Sequence, residues 1–113
     1  MISGCGPLGL GMVAGARKKD PKCIVALDMM DWKLDVAKKC GADIVLNPAK
    51  CNLINEIMKI TDDLGCDVYI EATGAGSSVK QGLNILSRLG RFVEYSVFGR
   101  EVTCDWSIIS KKY

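Results

Sequence analysis

Gly4-Cys5-Gly6-Pro7-Leu8-Gly9 is followed, nineteen positions after its last glycine, by Asp28. Ahead of the glycines stands a short apolar tail, Met1-Ile2-Ser3. Behind them Leu8 to Ala16 reads as helix, and the next apolar run, Cys23-Ile24-Val25-Ala26-Leu27, ends on the acid. Strand, glycine turn, helix, strand and terminal carboxylate is the order in which G-x-G-x-x-G cradles a dinucleotide. Gly4 allows the tight turn out of the strand, and Gly6 lets backbone approach a pyrophosphate with no Cβ in the way. Gly9 lets the helix lie close on the sheet, its first amides aimed at the phosphates. Asp28 stands where a carboxylate accepts from both ribose hydroxyls of an adenosine. A purely structural glycine turn is the plainer competing reading.

Working outward, 113 residues leave room for one core and therefore one domain, 1–113. With 49% hydrophobic and 25% charged residues, the chain has the balance of an ordinary soluble globular domain. The net charge of +2 is spread thinly, with Lys18-Lys19, Lys38-Lys39 and Lys111-Lys112 as its densest pairs. That gives no electrostatic footprint for nucleic acid or an anionic membrane. The apolar stretch from Ile2 to Ala16 holds five glycines and falls short of the ~20 residues a spanning helix needs. No charged n-region precedes it, so it does not read as a signal peptide, and the expected location is cytoplasmic. Six cysteines, at positions 5, 23, 40, 51, 66 and 104, form no C-x-x-C pair, and the chain has no histidine. Reduced thiols serving as small apolar residues are expected, with neither disulfides nor a bound metal.

Strand and helix patterns alternate along the whole chain. Strand one is the stub Met1 to Ser3, and the helix after it, with Pro7 in its first turn, runs to about Lys19. Lys22 to Asp28 is a nearly continuous apolar strand, as in a parallel sheet buried on both faces. Asp31 to Cys40 is a second helix with Leu34, Val36 and Ala37 inward and Gly41 just past its end. Asp43 to Leu46 is a third strand closed by the Asn47-Pro48 turn. Asn52 caps a third helix in which Leu53, Ile54, Ile57, Met58, Ile60 and Leu64 recur at helical spacing. Cys66 to Glu71 is strand four. Ser77 or Ser78 caps a fourth helix whose core face is Val79, Leu83, Ile85-Leu86 and Leu89, ended by Gly90. Arg91 to Val97 is strand five, and Gly99 to Tyr113 carries no clear pattern. The expected fold is α/β, a doubly wound parallel sheet of order 3-2-1-4-5, truncated at both ends. Its ligand would lie beyond the carboxyl ends of strands one and four.

A family resemblance covers nearly the whole chain. Gly4-Cys5-Gly6-Pro7-Leu8-Gly9-Leu10-Gly11, Asp28 with Lys33 five residues on, and Ala37-Lys38-Lys39-Cys40-Gly41-Ala42-Asp43 resemble the cofactor domain of medium-chain zinc-type alcohol and polyol dehydrogenases. Asp67-Val68-Tyr69-Ile70-Glu71-Ala72-Thr73-Gly74 and Leu89-Gly90-Arg91-Phe92-Val93 follow in the same order. Asp105-Trp106-Ser107-Ile108-Ile109 is most similar to the polyol branch, such as sorbitol- or threitol-type enzymes. The resemblance implies NAD as cofactor, with Gly4, Gly6, Pro7, Leu8 and Gly9 around the pyrophosphate. It places Asp28 and Lys33 on the adenine ribose, with Met29 and Met30 beside the adenine. Ala72, Thr73 and Gly74 fall near the adenine and nicotinamide ribose. Ser96 and Val97 fall where backbone holds the carboxamide, although the family more often has glycine where Ser96 stands. It also implies that a separate domain supplies zinc and its ligands, so that 1–113 alone would not turn over an alcohol.

Each of these residues has a plainer reading. Met29-Met30 serves equally as apolar cover, Lys33 as an exposed helix lysine, and Glu71 as a cap on a loop amide. Trp32, Trp106 and Asp62-Asp63 read as surface or packing positions. Two other functions stay open: a stand-alone nucleotide-binding or redox-sensing module, and an S-adenosylmethionine-binding domain. Finally, Arg91 to Val97 would form a sheet edge with two charges, Arg91 and Glu94, among Phe92, Val93, Tyr95 and Val97. A homo-oligomer through that edge is expected, the alternative being a tail that folds back over it.

Overall fold

A computed structural model describes residues 1–112. Its elements are β1 (Ile2–Ser3), α1 (Pro7–Arg17), β2 (Val25–Leu27), α2 (Asp31–Cys40), β3 (Ile44–Leu46), α3 (Leu53–Ile60), β4 (Cys66–Glu71), α4 (Gly76–Ile85), β5 (Leu86–Glu94) and α5 (Ser107–Ser110). Five strands form one all-parallel sheet of order β3-β2-β1-β4-β5. The expected architecture is therefore the observed one. Side chains alternate across it as the pleat requires. Ala26 joins Ile2, Val13, Ile24, Leu34 and Ala37 in one core. Its neighbours Val25 and Leu27 join Leu53, Ile57, Tyr69 and Ile85 in the other.

Local chemistry sets most helix ends. Pro7 opens α1, where its missing N–H costs no hydrogen bond. Gly41, at φ +121°, closes α2 in a conformation that a side chain would strain. The Asn52 carboxamide oxygen accepts from the Asn55 amide at 3.1 Å and caps α3.

Four expectations need correction. β2 is shorter than Lys22 to Asp28, because only Val25–Leu27 pairs with both neighbours. α3 stops at Ile60, since Asp62 and Asp63 take left-handed conformations that no helix continues. Leu64 consequently lies exposed. Neither Ser77 nor Ser78 caps α4: its N-cap is Ala75, and Ser78 is buried against Ser3 and the Tyr69 hydroxyl.

The largest departure lies at the start of β5. Helix α4 ends at Ile85, and Leu86 already pairs with Cys66 as strand. Between that pair and the next, Val68 with Arg91, β5 carries extra residues that bulge outward. Leu89 sits on the bulge at φ +59° and is 82% exposed, so it is no part of a helix core. Gly90 lies under Leu86, where a Cβ would come within 2.8 Å of the leucine Cγ.

Past β5 the chain forms no strand at Val102 to Cys104, but it does make the single turn α5. The Leu89 amide donates to the Lys112 carbonyl at 2.6 Å, and Lys112 Nζ donates to the Asn84 carbonyl at 3.1 Å. The tail thus folds against the amino-terminal end of β5. Tyr113, the last residue of the expected tail, lies outside the described residues. Among the described residues no helix is long and apolar enough to cross a membrane.

Candidate functional site

Four loops meet at the carboxyl ends of β1, β2, β4 and β5. The glycine turn after β1 comes first. Gly4 has φ +103°, and a Cβ there would strike the Ala72 carbonyl oxygen at 2.8 Å and Thr73 at 3.0 Å. Its glycine therefore serves two needs, a left-handed turn and contact with the loop after β4. Gly9 is packed harder still, because its Cβ would lie 1.8 Å from the Gly4 carbonyl oxygen. Gly6 differs: it is the N-cap of α1, and a Cβ on it would meet nothing within 4 Å. No side chain caps α1, so its leading amides and positive dipole end face the same open space. One glycine is needed for the turn, one for packing, and one leaves room for an anionic group.

Asp28 closes that space on the β2 side. One carboxylate oxygen accepts from the Cys5 amide at 2.9 Å, the other from the Met30 amide at 2.8 Å. A carboxylate offers about four acceptor positions, so two remain for a ligand. Beneath it the Cys5 thiol donates to the Leu27 carbonyl at 3.4 Å. Burial, aided by the Asp28 charge and opposed by Lys33, pushes that thiol up to about 11. Cys5 is therefore a protonated packing group and not a nucleophile.

Met29 is 70% exposed beside Asp28, and Leu8 is exposed at the mouth of the glycine turn. Lys33, on the first turn of α2, holds its ammonium 5.6 Å from the ring centroid of its neighbour Trp32. Asn47 organises this corner in a way that the sequence did not reveal. Its carboxamide nitrogen donates to the Met29 carbonyl at 3.0 Å and to Asp31 at 2.9 Å. Its oxygen accepts from the Ala49 amide at 2.9 Å, and Lys50 pairs with Asp31. An Asn-Pro pair reads locally as a turn; nothing local shows that the asparagine is buried between two loops.

On the other side, Glu71 ends β4 with no exposed surface. Its carboxylate accepts from the Thr73 amide at 2.9 Å, the Thr73 hydroxyl, the Gly74 amide at 3.0 Å and the Ser96 hydroxyl. Burial alone would raise its pKa. The hydrogen bonds outweigh burial and hold the carboxyl below its ordinary value. Gly74, at φ +76°, lies against the next loop, where a Cβ would stand 2.7 Å from the Val97 carbonyl oxygen. Val97 itself is 92% exposed.

The structure therefore brings Gly4, Gly6, Pro7, Leu8, Gly9, Asp28, Met29, Lys33, Ala72, Thr73, Gly74, Ser96 and Val97 to one end of the sheet. Direct contacts run from Asp28 through Cys5 to Gly4, on to Ala72 and Thr73, and from Gly74 to Val97. Elsewhere, all six cysteines are free. No three Cys, Asp or Glu side chains gather as metal ligands among the described residues.

Known proteins share this arrangement. The chain is 56% identical over 110 residues to the erythritol/L-threitol dehydrogenase of Mycolicibacterium smegmatis, an alignment covering 97% of this chain and 30% of that protein. The solved structure of 2R,3R-butanediol dehydrogenase from Bacillus subtilis superposes with a TM-score of 0.92 at 26% identity, over 98% of this chain and 32% of that one. A zinc-binding dehydrogenase from Sinorhizobium meliloti 1021, solved bound to NADP, superposes at 0.89 with 25% identity, over 98% of this chain and 34% of its own. The chain thus spans about a third of the length of these relatives. The family model described as zinc-binding dehydrogenase matches residues 7–113. Glycine turn, strand-end carboxylate and sheet order agree with that match, and the chain belongs to the zinc-binding dehydrogenase family.

Proposed function

We propose that residues 1–113 are a dinucleotide-binding domain that holds NAD along the carboxyl ends of the strands. The observation that carries this is the pose of Asp28. Backbone amides of Cys5 and Met30 orient its carboxylate at the end of β2 and leave acceptor positions for the two adenine-ribose hydroxyls. The pyrophosphate lies over Gly6, against the uncapped start of α1. Met29 and Met30 flank the adenine, and Lys33 reaches the same ribose. Ala72, Thr73 and Gly74 line the path to the nicotinamide, whose carboxamide meets backbone at Ser96 and Val97.

NAD is preferred to NADP. A 2′-phosphate would meet the Asp28 charge and remove the hydroxyl that Asp28 receives. The NADP-bound relative makes the choice between the two cofactors the first thing to measure. Titration with NADH and NADPH, read by nicotinamide fluorescence, tests the reading. Tighter NADH binding is expected, and equal or tighter NADPH binding refutes it.

The whole protein is proposed to be an NAD-linked, zinc-dependent dehydrogenase acting on a secondary alcohol of a polyol or related substrate. The 56% identity to an erythritol/L-threitol dehydrogenase supports that substrate class. Bound NAD supplies the hydride acceptor. Among residues 1–113 the work is binding and orientation, and the zinc ligands are assigned to another domain. Family membership displaces the adenosylmethionine-binding reading. The chain is further proposed to pair as a homo-oligomer through β5, an edge strand of the sheet.

A further inference from the structure

Glu71 and Ser96 stand twenty-five positions apart yet share one hydrogen bond, at the place where two loops meet. One loop follows β4 and carries Thr73 and Gly74. The other follows β5 and carries Ser96 and Val97. We propose that Glu71 is a positioning residue whose buried carboxylate clasps these loops into the rigid wall that receives the nicotinamide half of the dinucleotide. The inference rests on the NAD-binding reading above.

The geometry carries it in three steps. First, the four donors are divided between the loops: the Thr73 amide and hydroxyl and the Gly74 amide on one side, the Ser96 hydroxyl on the other. The Tyr95 amide also donates to the Glu71 backbone carbonyl at 3.0 Å, so the clasp begins where β5 ends. Second, the loops touch directly beside the carboxylate, at Gly74 and Val97. Third, Ser96 is held from both sides. Glu94 accepts from its amide at 2.6 Å and stands 2.7 Å from its hydroxyl. A hydroxyl has one proton, so Ser96 donates to one carboxylate at a time. Donation to Glu71 locks the two loops together; donation to Glu94 keeps the contact within the second loop. The serine thus gives the wall a side-chain latch where glycine would leave none.

Glu71→Gln tests the latch, because the amide keeps the shape but turns an NH2 toward two of the four donors. The probes are NADH and ADP-ribose, which share the adenosine and both phosphates and differ in the nicotinamide. The wild-type chain is expected to bind NADH more tightly than ADP-ribose. In Glu71→Gln the NADH affinity is expected to fall about tenfold, the size of one lost charge-assisted hydrogen bond. ADP-ribose affinity should stay within about twofold, since no adenosine contact changes. A merely structural role for Glu71 would weaken both ligands in parallel, and that result, or no change in either, overturns the proposal. Where Glu71→Gln does not fold, Ser96→Ala replaces it, removing one exposed-side donor and no core group. NADH binding should then weaken about threefold with ADP-ribose unchanged; unaltered NADH binding overturns the proposal. If wild-type protein binds both probes equally, the nicotinamide wall is refuted while the adenosine site stands. If it binds neither, the NAD reading fails and this inference fails with it.

Discussion

Replacing Asp28 by alanine separates ligand recognition from fold integrity more cleanly than any other single change. Two amides lose an acceptor, those of Cys5 and Met30. Met30 is exposed and its amide turns to water at little cost, whereas Cys5 is buried and its amide is not so easily repaired. The stability loss is therefore about 1–2 kcal/mol, the range for a charge-assisted bond to one buried amide. The ligand loses more. Two ribose hydroxyls give up a carboxylate acceptor, and partial exposure of Asp28 moderates each bond to the lower end of its range. The expected loss for NADH is about 1–3 kcal/mol, or about five- to 150-fold in Kd. NADPH should lose nothing or gain, because the charge facing its 2′-phosphate disappears. Fluorescence titration of both cofactors on both proteins, with thermal unfolding alongside, gives all three quantities. NADH affinity within twofold of wild type, in a folded Asp28→Ala protein, would refute the assignment of Asp28 to the ribose.

Other outcomes follow from the same coordinates. Gly9→Ala should cost about 3 kcal/mol or more in stability, since its Cβ cannot coexist with the Gly4 carbonyl; Gly6→Ala should unfold within about 1 kcal/mol of wild type yet bind NADH markedly less well, and equal melting losses in the two would contradict the distinct glycine roles. For Cys5, the unfolded thiol titrates near 9 and the folded one at about 11, so the folded state alone keeps its proton between those values. That contribution is present below pH 9 and lost as pH rises through 11, worth about 2 kcal/mol, and denaturant unfolding at pH 8 and pH 10.5 should show it. Purified protein should give six reactive thiols once denatured and no stoichiometric zinc by elemental analysis, a count well below six being evidence against the cysteine reading. Light scattering over a tenfold concentration range should show a dimer that Val93→Lys abolishes, and a monomer throughout ends the β5-edge proposal.

How much of this the sequence disclosed depends on the range of the interactions involved. The glycine turn was legible because every constraint on it is local or periodic. A left-handed residue, a helix start and a packed third glycine occur within six positions, and the acid ends the next apolar run. β4 and α2 were read to the residue for the same reason, as each is bounded by a turn glycine or an acid at its start. The start of β5 was not legible. Val79, Leu83 and Leu86 continue a helical spacing, and only the pairing of Leu86 with Cys66, across the sheet, ends the helix at Ile85. Leu89 looked like core by spacing and lies outside on the bulge because β5 has more residues than β4 has partners for.

The candidate site divides along the same line. Residues whose role is set by backbone conformation, Gly4, Gly6 and Gly9, carry that role in their identity, since no other side chain fits. Asp28 carries it in its place at a strand end. Glu71, Asn47 and Ser96 are different: each is an ordinary polar residue whose importance comes from partners on another loop. Glu71 could be read as a loop cap from its neighbours Thr73 and Gly74, and that half was within reach. Its bond to Ser96 required the register of β4 against β5, in which Glu71 faces Glu94. The sheet register is what converts two loop-capping residues into one clasp. A single-residue change in that register would send Ser96 to the other face and separate the loops. The bulge at Leu89 absorbs the extra residues of β5 upstream and leaves the pairs from Val68–Arg91 to Glu71–Glu94 in step. The irregular start of β5 is thus what keeps its far end aligned with the site.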